Sequence, residues 1–296
     1  MTSMNTQEVN ALIQLLDDPD ELIYNQIKGK FISYGFEVIP HLEAARDDSF
    51  DEIIQNRIEN IINSIQIETT AKELTQWAKE EEYDLLKGMM IISRLDKIHL
   101  DEDKIKAQLK EITQDVWLEI NDNLTALEKI KIINHVLYTV HGFRGNTENY
   151  HSPENSYIHA VLNERTGNPI SLSIIYLLIC NELNIPVFGI DLPLHFILGY
   201  NDDSASIVSY NEKGLPENML FYINAFSNGI IFSKEDIDKF LSDQNIEPTS
   251  RYYKPCTNLD IVKRVIRNLI ASYERRNKNN QVENLKRLLK EMNVFL

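Results

Sequence analysis

The chain has 296 residues, a formal net charge of -15, 43% hydrophobic residues and 25% charged residues. This balance is typical of globular proteins, and the length fits one large or two moderate domains, so we expect a folded chain and not a disordered one. The negative charge repels phosphate backbones and anionic membrane surfaces, which argues against a general nucleic-acid or membrane-surface binder.

Helical periodicity dominates the first part of the chain, where apolar residues recur at three- and four-residue spacing. The segments 22–34 and 36–45 predict an antiparallel helix pair of HEAT-like type, and no self-similar period repeats after it. We therefore expect residues 1–115 to form a short helical region and not a solenoid. Further helices are predicted over 51–66, 82–95, 101–111 and 124–140.

The middle of the chain changes from helices to a loop, a buried helix and strands. Turn residues dominate 142–155, which predicts a loop on which function could sit. Asn168 and Pro169 suit the N-cap and the first helical position, because the missing N–H of proline would have no partner there. After the helix predicted from Pro169 to about Leu183, segments rich in β-branched and aromatic residues predict strands over 187–192, 195–200 and 220–225.

The end of the chain is again helical. Residues 233–236 have capping-box spacing ahead of a short helix, and two more helices are predicted over 259–274 and 282–292. The last two look like a tetratricopeptide-like pair over 256–296, an element that commonly binds proteins. The sequence therefore predicts a mostly helical α+β protein whose core lies at 116–255.

An ordered set of short motifs in this core resembles a known family. The motifs are a Gly-X-Pro helix start at 167–169, an Ile-Pro helix exit at 185–186 and a Pro-X-His-Phe segment at 193–196. Together they resemble the SirB-type transglutaminase-like family. The resemblance implies a papain-like core with a small antiparallel sheet, and it extends over most of the chain.

The resemblance also implies where a catalytic site would lie. In the active enzymes of this group a cysteine opens the core helix, where the helix N-terminus lowers the pKa of the thiol, and a histidine carries the proton. Those positions match Pro169 and His195, and the third position, which orients the histidine, matches Asn224. Proline has no nucleophile, and Asn224 is followed by Ala225 where the family more often shows aspartate and proline. The resemblance thus implies a relic site with no catalytic residue.

Two alternatives to a silent binding module stay open. One is a hydrolase or acyltransferase that uses Ser171 with His195 and Asn224, although two residues along a helix turn the Ser171 side chain roughly 200° away from Pro169. The other is a receptor that keeps the old substrate cleft for a small ligand or a peptide. In either case His195 and Asn224 also have a structural interpretation, as side chains that hydrogen-bond neighbouring strands or loops.

Cofactors, metals and redox chemistry find little support. The histidines lack the spacing that places two ligands on one helix face, so we expect no metal and no cofactor. Cysteine occurs only at Cys180 and Cys256, too few for a disulfide framework, and no signal-peptide pattern follows Met1. The longest apolar runs fall short of the roughly 20 residues that span a bilayer. We expect a cytoplasmic protein without a membrane segment.

A basic cluster stands out near the end of this acidic chain, on a helix with a broad apolar face. It either docks an acidic protein partner or is a solvated face that pairs with the acidic body. The cluster comprises Lys263, Arg264, Arg267, Arg275 and Arg276. We interpret the whole as a catalytically silent transglutaminase-like module that binds or scaffolds a protein or peptide partner.

Overall fold

The structure is a computed structural model that describes residues 5–202, 208–212 and 214–292. Helices predominate and the strands are short, which confirms the predicted mostly helical α+β class. The described residues fall into two compact units, the first within Met1–Glu81, Ile91–His99 and Arg287–Leu296, the second within Glu82–Met90 and Leu100–Lys286. The domain boundaries after residues 115 and 255 stay predictions.

The first unit is helical and is built around one apolar core. Side chains of Asn5, Asp20 and Asp51 cap three of its helices by accepting backbone N–H bonds. The last helix is much longer than the predicted 51–66, so that prediction was wrong about where the helix ends. The helices are α1 (Thr6–Gln14), α2 (Glu21–Tyr34), α3 (Ile39–Asp48) and α4 (Glu52–Glu80).

The remaining helices include a π-helical turn at His135–Val140. Among the described residues, none of the helices combines the length and the apolar character needed to cross a membrane. The helices are α5 (Leu85–Ser93), α6 (Glu102–Glu119), α7 (Ala126–Asn134), α8 (Ile158–Glu164), α9 (Pro169–Glu182), α10 (Lys234–Asp243), α11 (Asn258–Arg275) and α12 (Asn279–Met292).

The second unit also contains two small sheets. A parallel pair joins β1 (Arg144–Gly145) to β2 (Thr166–Gly167). A four-stranded antiparallel sheet has the order β3-β4-β5-β6 and consists of β3 (Val187–Ile190), β4 (Ile197–Asn201), β5 (Met219–Asn224) and β6 (Ile230–Phe232). The predicted strand from residue 195 starts two residues later, so His195 precedes β4 and does not lie on it. Strand β6 was not predicted from the sequence.

Helix α9 is the buried centre of the second unit. Its residues from Pro169 to Leu177 are all buried, so it is enclosed around its circumference and has no solvent-facing stripe. Gly167 lies just before it, and a Cβ there would lie 2.5 Å from Ser171 Oγ, so only glycine fits. Burial of α9 fixes the position of its N-terminus, where Pro169 begins the helix.

Candidate binding cleft

A complete capping box holds the start of α9. Asn168 Oδ1 accepts from the backbone N–H of Ser171 at 3.0 Å, and Ser171 Oγ accepts from the backbone N–H of Asn168 at 3.0 Å. Asn168 Nδ2 also donates to Ser156 Oγ at 2.9 Å. The helix begins at Pro169 as predicted, and the Ser171 hydroxyl is occupied by the cap in a site that is 3% exposed.

His195 and Asn224 meet beside this helix start. Burial lowers the pKa of the His195 imidazole from its ordinary value, the Arg264 charge lowers it further, and a hydrogen bond with the Asn224 side chain opposes both. The imidazole is therefore neutral near pH 7. Asn224 Oδ1 accepts from the backbone N–H groups of Phe226 and Ser227 at 3.1 and 3.2 Å, so it also caps the turn that follows β5.

Pro169 and His195 line one cavity of about 180 Å³. Asn224 does not line this cavity, but its side chain hydrogen-bonds His195, which does. The assignment of these three positions as a relic catalytic site stays a prediction. The remaining lining residues are Tyr150, His151, Asn168, Ile170, Leu194, Phe196, Arg264, Asn268, Ala271, Ser272 and Arg275.

Helix α11 forms one wall of this cavity. The lining residues 264, 268, 271, 272 and 275 follow the spacing of a single helix face. Arg264 Nη1 lies 3.2 Å from Asp191 Oδ1. The structure thus brings two arginines of the predicted basic cluster into the cavity that Pro169 and His195 line, a proximity that was not predicted from the sequence.

A loop ordered by asparagines supplies another wall. Asn155 is 3% exposed; its Oδ1 accepts from Asn146 Nδ2 at 2.8 Å, and its Nδ2 donates to the carbonyls of Asn149 and Tyr150 at 2.8 and 3.1 Å. These bonds hold Tyr150 and His151 at the cavity. Sequence reasoning located the loop and missed its role, because buried asparagine and exposed asparagine look alike in a sequence.

The five members of the basic cluster do not share one surface. Lys263 is 3% exposed, so its assignment to a docking surface was wrong, because it is one of the buried residues of α11. Arg276 pairs with Glu154 at 3.2 Å and bonds Ser152 at 2.7 Å, which fits the alternative of a basic face that pairs with the acidic body. Arg267 is exposed and does not line the cavity.

Both cysteines lie in surroundings that disfavour the thiolate. Cys180 is fully buried in α9, and burial raises its pKa far above the ordinary value. Cys256 donates from Sγ to the carbonyl of Gly189 at 3.2 Å, and burial raises its pKa to about 12. Both thiols are protonated at neutral pH, and thiols are weak nucleophiles in that form.

A larger cavity of about 820 Å³ lies elsewhere in the second unit. Its lining comes from α6, the end of α9 and residues 83–86, and includes Trp117, which is 64% exposed. None of the predicted site residues lines it. Size alone would favour this cavity, but the smaller one is the candidate site because Pro169 and His195 line it.

Residues 103–267 match the family model described as "Transglutaminase-like superfamily". The match covers more than half of the chain, and the chain therefore belongs to the transglutaminase-like superfamily.

Curated relatives are similar over parts of their length. F-box only protein 21 of Mus musculus is 31% identical over 143 residues, which are 47% of this chain and 21% of that protein. A UPF0162 protein of Xylella fastidiosa (strain 9a5c) is 28% identical over 129 residues, 44% of this chain and 46% of that protein. UPF0162 protein YchA of Escherichia coli (strain K12) is 21% identical over 192 residues, 64% of this chain and 66% of that protein.

The chain thus spans about a fifth of the first relative and about half of the second. No solved structure matches the chain.

Proposed function

We propose that this chain is a catalytically silent, SirB-type transglutaminase-like protein, and that its core binds a protein or peptide partner in the cleft between α9 and α11. The observation that carries the proposal is Pro169 at the start of α9, in the same cavity as His195. In this family the first helical position is where the nucleophile would stand, and proline has none. The cleft keeps polar groups that can orient a peptide.

The competing enzyme hypothesis depends on a hydroxyl that could replace the cysteine. Ser171 is a poor candidate, because its hydroxyl both accepts from and donates to the Asn168 backbone. Ser272 is the aliphatic hydroxyl that lines the cavity, and it lies in the body of α11, away from the first turn where a helix N-terminus would activate it. Among the described residues, the hydrogen bond of the His195 side chain is made with Asn224 and not with Ser272.

A reducing compartment suits this proposal. The two thiols are unpaired in the described structure, one of them fully buried. Free buried thiols are typical of proteins that work in the cytosol, and we include a cytoplasmic location in the proposal.

Blocking the cleft tests the proposal. Ala271 lies on the exposed surface of α11 and lines the cavity, so Ala271→Trp should fill the cleft without disturbing the core. Glu274→Trp is the matched control, because Glu274 is exposed on the same helix outside the cavity and its pairing with Lys286 at 3.5 Å contributes little.

We expect native-lysate capture followed by mass spectrometry to recover a specific set of partners with the wild type and with Glu274→Trp. Ala271→Trp should lose this set while keeping the wild-type melting temperature. Recovery of the same set with Ala271→Trp would show that the cleft is not the binding site.

A further inference from the structure

We propose that the cleft is a carboxylate-binding site, in which Arg275, together with Arg264 and Asn268, receives one carboxylate of a partner peptide. This inference rests on the proposed function, since it names the group that the partner would place in the cleft. Two sources have the same chemistry, an acidic side chain and a peptide C-terminus, and the experiment below separates them.

The lining has an unusual charge for this molecule. The chain contains 45 Asp and Glu against 30 Lys and Arg. The cavity nevertheless is lined by two arginines, two histidines and two asparagines, and no carboxylate occurs among its described lining residues. The net negative charge of the chain repels anions in general. A polar cavity whose lining has arginines and no carboxylate is a place where an anion can still bind.

The charges in the cleft match one negative charge. Arg264 already lies 3.2 Å from Asp191, an acid that does not line the cavity and that Arg251 also approaches to 3.6 Å. His195 is neutral near pH 7, because burial lowers its pKa. Arg275 is exposed and has no acidic partner among the described residues, in contrast to its neighbour Arg276, which pairs with Glu154. One uncompensated arginine suits a carboxylate better than a doubly charged phosphate.

The shape of the cleft indicates a terminal group and not a whole small molecule. Ligand pockets usually measure about 300–1,000 Å³, whereas this cavity is about 180 Å³. Arginine presents N–H groups in a planar fork that matches a carboxylate in two-point geometry. Leu194 at the rim is 68% exposed, which gives the rest of a peptide an apolar surface to contact.

Short peptides of defined chemistry test this proposal on the full chain. The probes are acetyl-Ala-Glu-Ala-amide, its Gln counterpart, acetyl-Ala-Ala-Ala with a free carboxyl end, its amide, and acetyl-Ala-phosphoserine-Ala-amide. The readout is the shift of the arginine side-chain Nε–Hε and Ala271 signals in NMR titrations. We expect saturable shifts with the Glu probe or the free-carboxyl probe, at least about tenfold stronger than with the matched neutral peptide, as one charge-assisted contact implies.

Variants then assign the contact. Arg275→Gln should weaken the better carboxylate probe about tenfold, and Arg275→Lys should restore only part of the affinity, because lysine lacks the fork. Arg276→Gln is the control and should stay within about twofold, because Arg276 lies outside the cavity. Arg264 is left unchanged, because Asp191 is partly buried and its carboxylate would lose the Arg264 partner.

Each other outcome overturns the inference in a distinguishable way. A phosphoserine probe that binds more than about tenfold tighter than both carboxylates would make this a phosphate site. Equal binding of charged and neutral peptides, with partner capture still lost in Ala271→Trp, would remove the carboxylate claim and leave the proposed function standing. If charged and neutral peptides bind equally and Ala271→Trp still captures the partners, both the carboxylate claim and the proposed binding cleft are wrong.

Discussion

Proline at position 169 suits the start of a helix, and Pro169→Cys tests whether this helix start would activate a nucleophile. Its ring fixes φ near the helical value, and its missing N–H would lack a helical partner in any case. Pro169→Cys should place a thiol at the N-terminus of α9 in the cavity that His195 lines. Its pKa should fall below the ordinary value of about 8.5, and alkylation at neutral pH should outpace Cys180 and Cys256.

The measurement is alkylation rate against pH, with mass spectrometry to locate the label. Ala271→Cys is the control, since it lies in the same cavity but not at a helix N-terminus. A Pro169→Cys thiol that titrates like the control would show that the helix start does not activate a nucleophile there.

Asn168 should matter for stability more than an ordinary N-cap. Asn168→Ala removes a cap contributing about 0.5–2 kcal/mol and leaves the buried Ser156 hydroxyl without the amide that donates to it. We expect the free energy of unfolding to fall by about 2 kcal/mol or more, measured by urea denaturation. Asn168→Ser keeps a capping hydroxyl and should lose less. Equal losses would mean that the cap contributes little and that the loss comes from the Ser156 contact, which neither variant can make.

The pH dependence of stability should report the burial of His195. Its folded pKa lies below the unfolded value of about 6.5, so the unfolded chain binds more protons between the two. The wild type should therefore have its full stability above about pH 6.5 and lose part of it as pH falls through the folded pKa. His195→Gln should flatten this fall in urea titrations at pH 7.5, 6.5 and 5.5. Parallel curves for the two proteins would contradict the assignment.

At this scale the sequence predicted what local rules determine. The cap at Asn168 and the helix start at Pro169 follow from side-chain chemistry within four residues. The residues that share the cavity with Pro169 could not be predicted from periodicity, since Arg264 and Arg275 come from a helix about a hundred residues later in the chain. Exposure of a side chain was equally hidden, as the buried Lys263 shows.

Among the elements, the ends of α4 and α6 were the least predictable. Both helices run far beyond their predicted ends because no glycine or proline stops them, and α4 buries Thr70 and Ala71 where the sequence pattern loses its apolar periodicity. Helix starts fared better, as the capping box of α10 at Ser233 and Asp236 shows. The late start of β4 has a local cause, because Leu194 adopts a left-handed conformation with φ of 62° just before His195.

Charge reversal on two different faces of helix α11 tests where the partner docks. Arg275→Glu should reduce partner recovery sharply, because it puts a negative charge at the cavity. The double change Arg267→Glu and Arg276→Glu reverses two charges of the same helix outside the cavity, and should reduce recovery much less. Both proteins should keep the wild-type melting temperature to within a few degrees, since exposed ion pairs contribute about 0–1 kcal/mol.

The comparison is quantitative capture of the partner set with each variant. If the double variant loses the set and Arg275→Glu keeps it, docking occurs on the outer face of α11, as the sequence analysis allowed, and the cleft is excluded as the docking site.

At the scale of the whole molecule, family and charge were both readable from the sequence. The superfamily was recognisable because its motifs are local: a Gly-X-Pro, an Ile-Pro and a Pro-X-His-Phe in order. The net charge argued against nucleic-acid binding. The distribution of charge over the molecule could not be predicted, because the basic cleft forms only when the tertiary fold brings α9 and α11 together.

At the scale of the whole molecule, the proposed function depends on the proposal that the chain is catalytically silent. Pro169 has no nucleophile, both native thiols are protonated at neutral pH, and the Ser171 hydroxyl is held in a cap, so none of these described groups gives His195 an activated nucleophile. We expect the wild type to show no transamidation, deamidation or peptide hydrolysis above the rate in buffer alone. The measurement is mass spectrometry of glutamine and lysine peptides incubated with the protein over hours. Pro169→Cys should be alkylated and yet show no turnover, because Asn224 and Ala225 stand where the family more often has aspartate and proline.

Two serine variants make this expectation falsifiable. Wild-type turnover that Ser272→Ala abolishes would identify a serine enzyme built on the hydroxyl in the cavity. Turnover abolished by Ser171→Ala would instead favour the enzyme alternative of the sequence analysis, provided that Ser171→Ala still folds, since it also breaks the capping box. In either case His195→Gln should abolish the activity too, because a serine needs a neighbouring base to become a nucleophile.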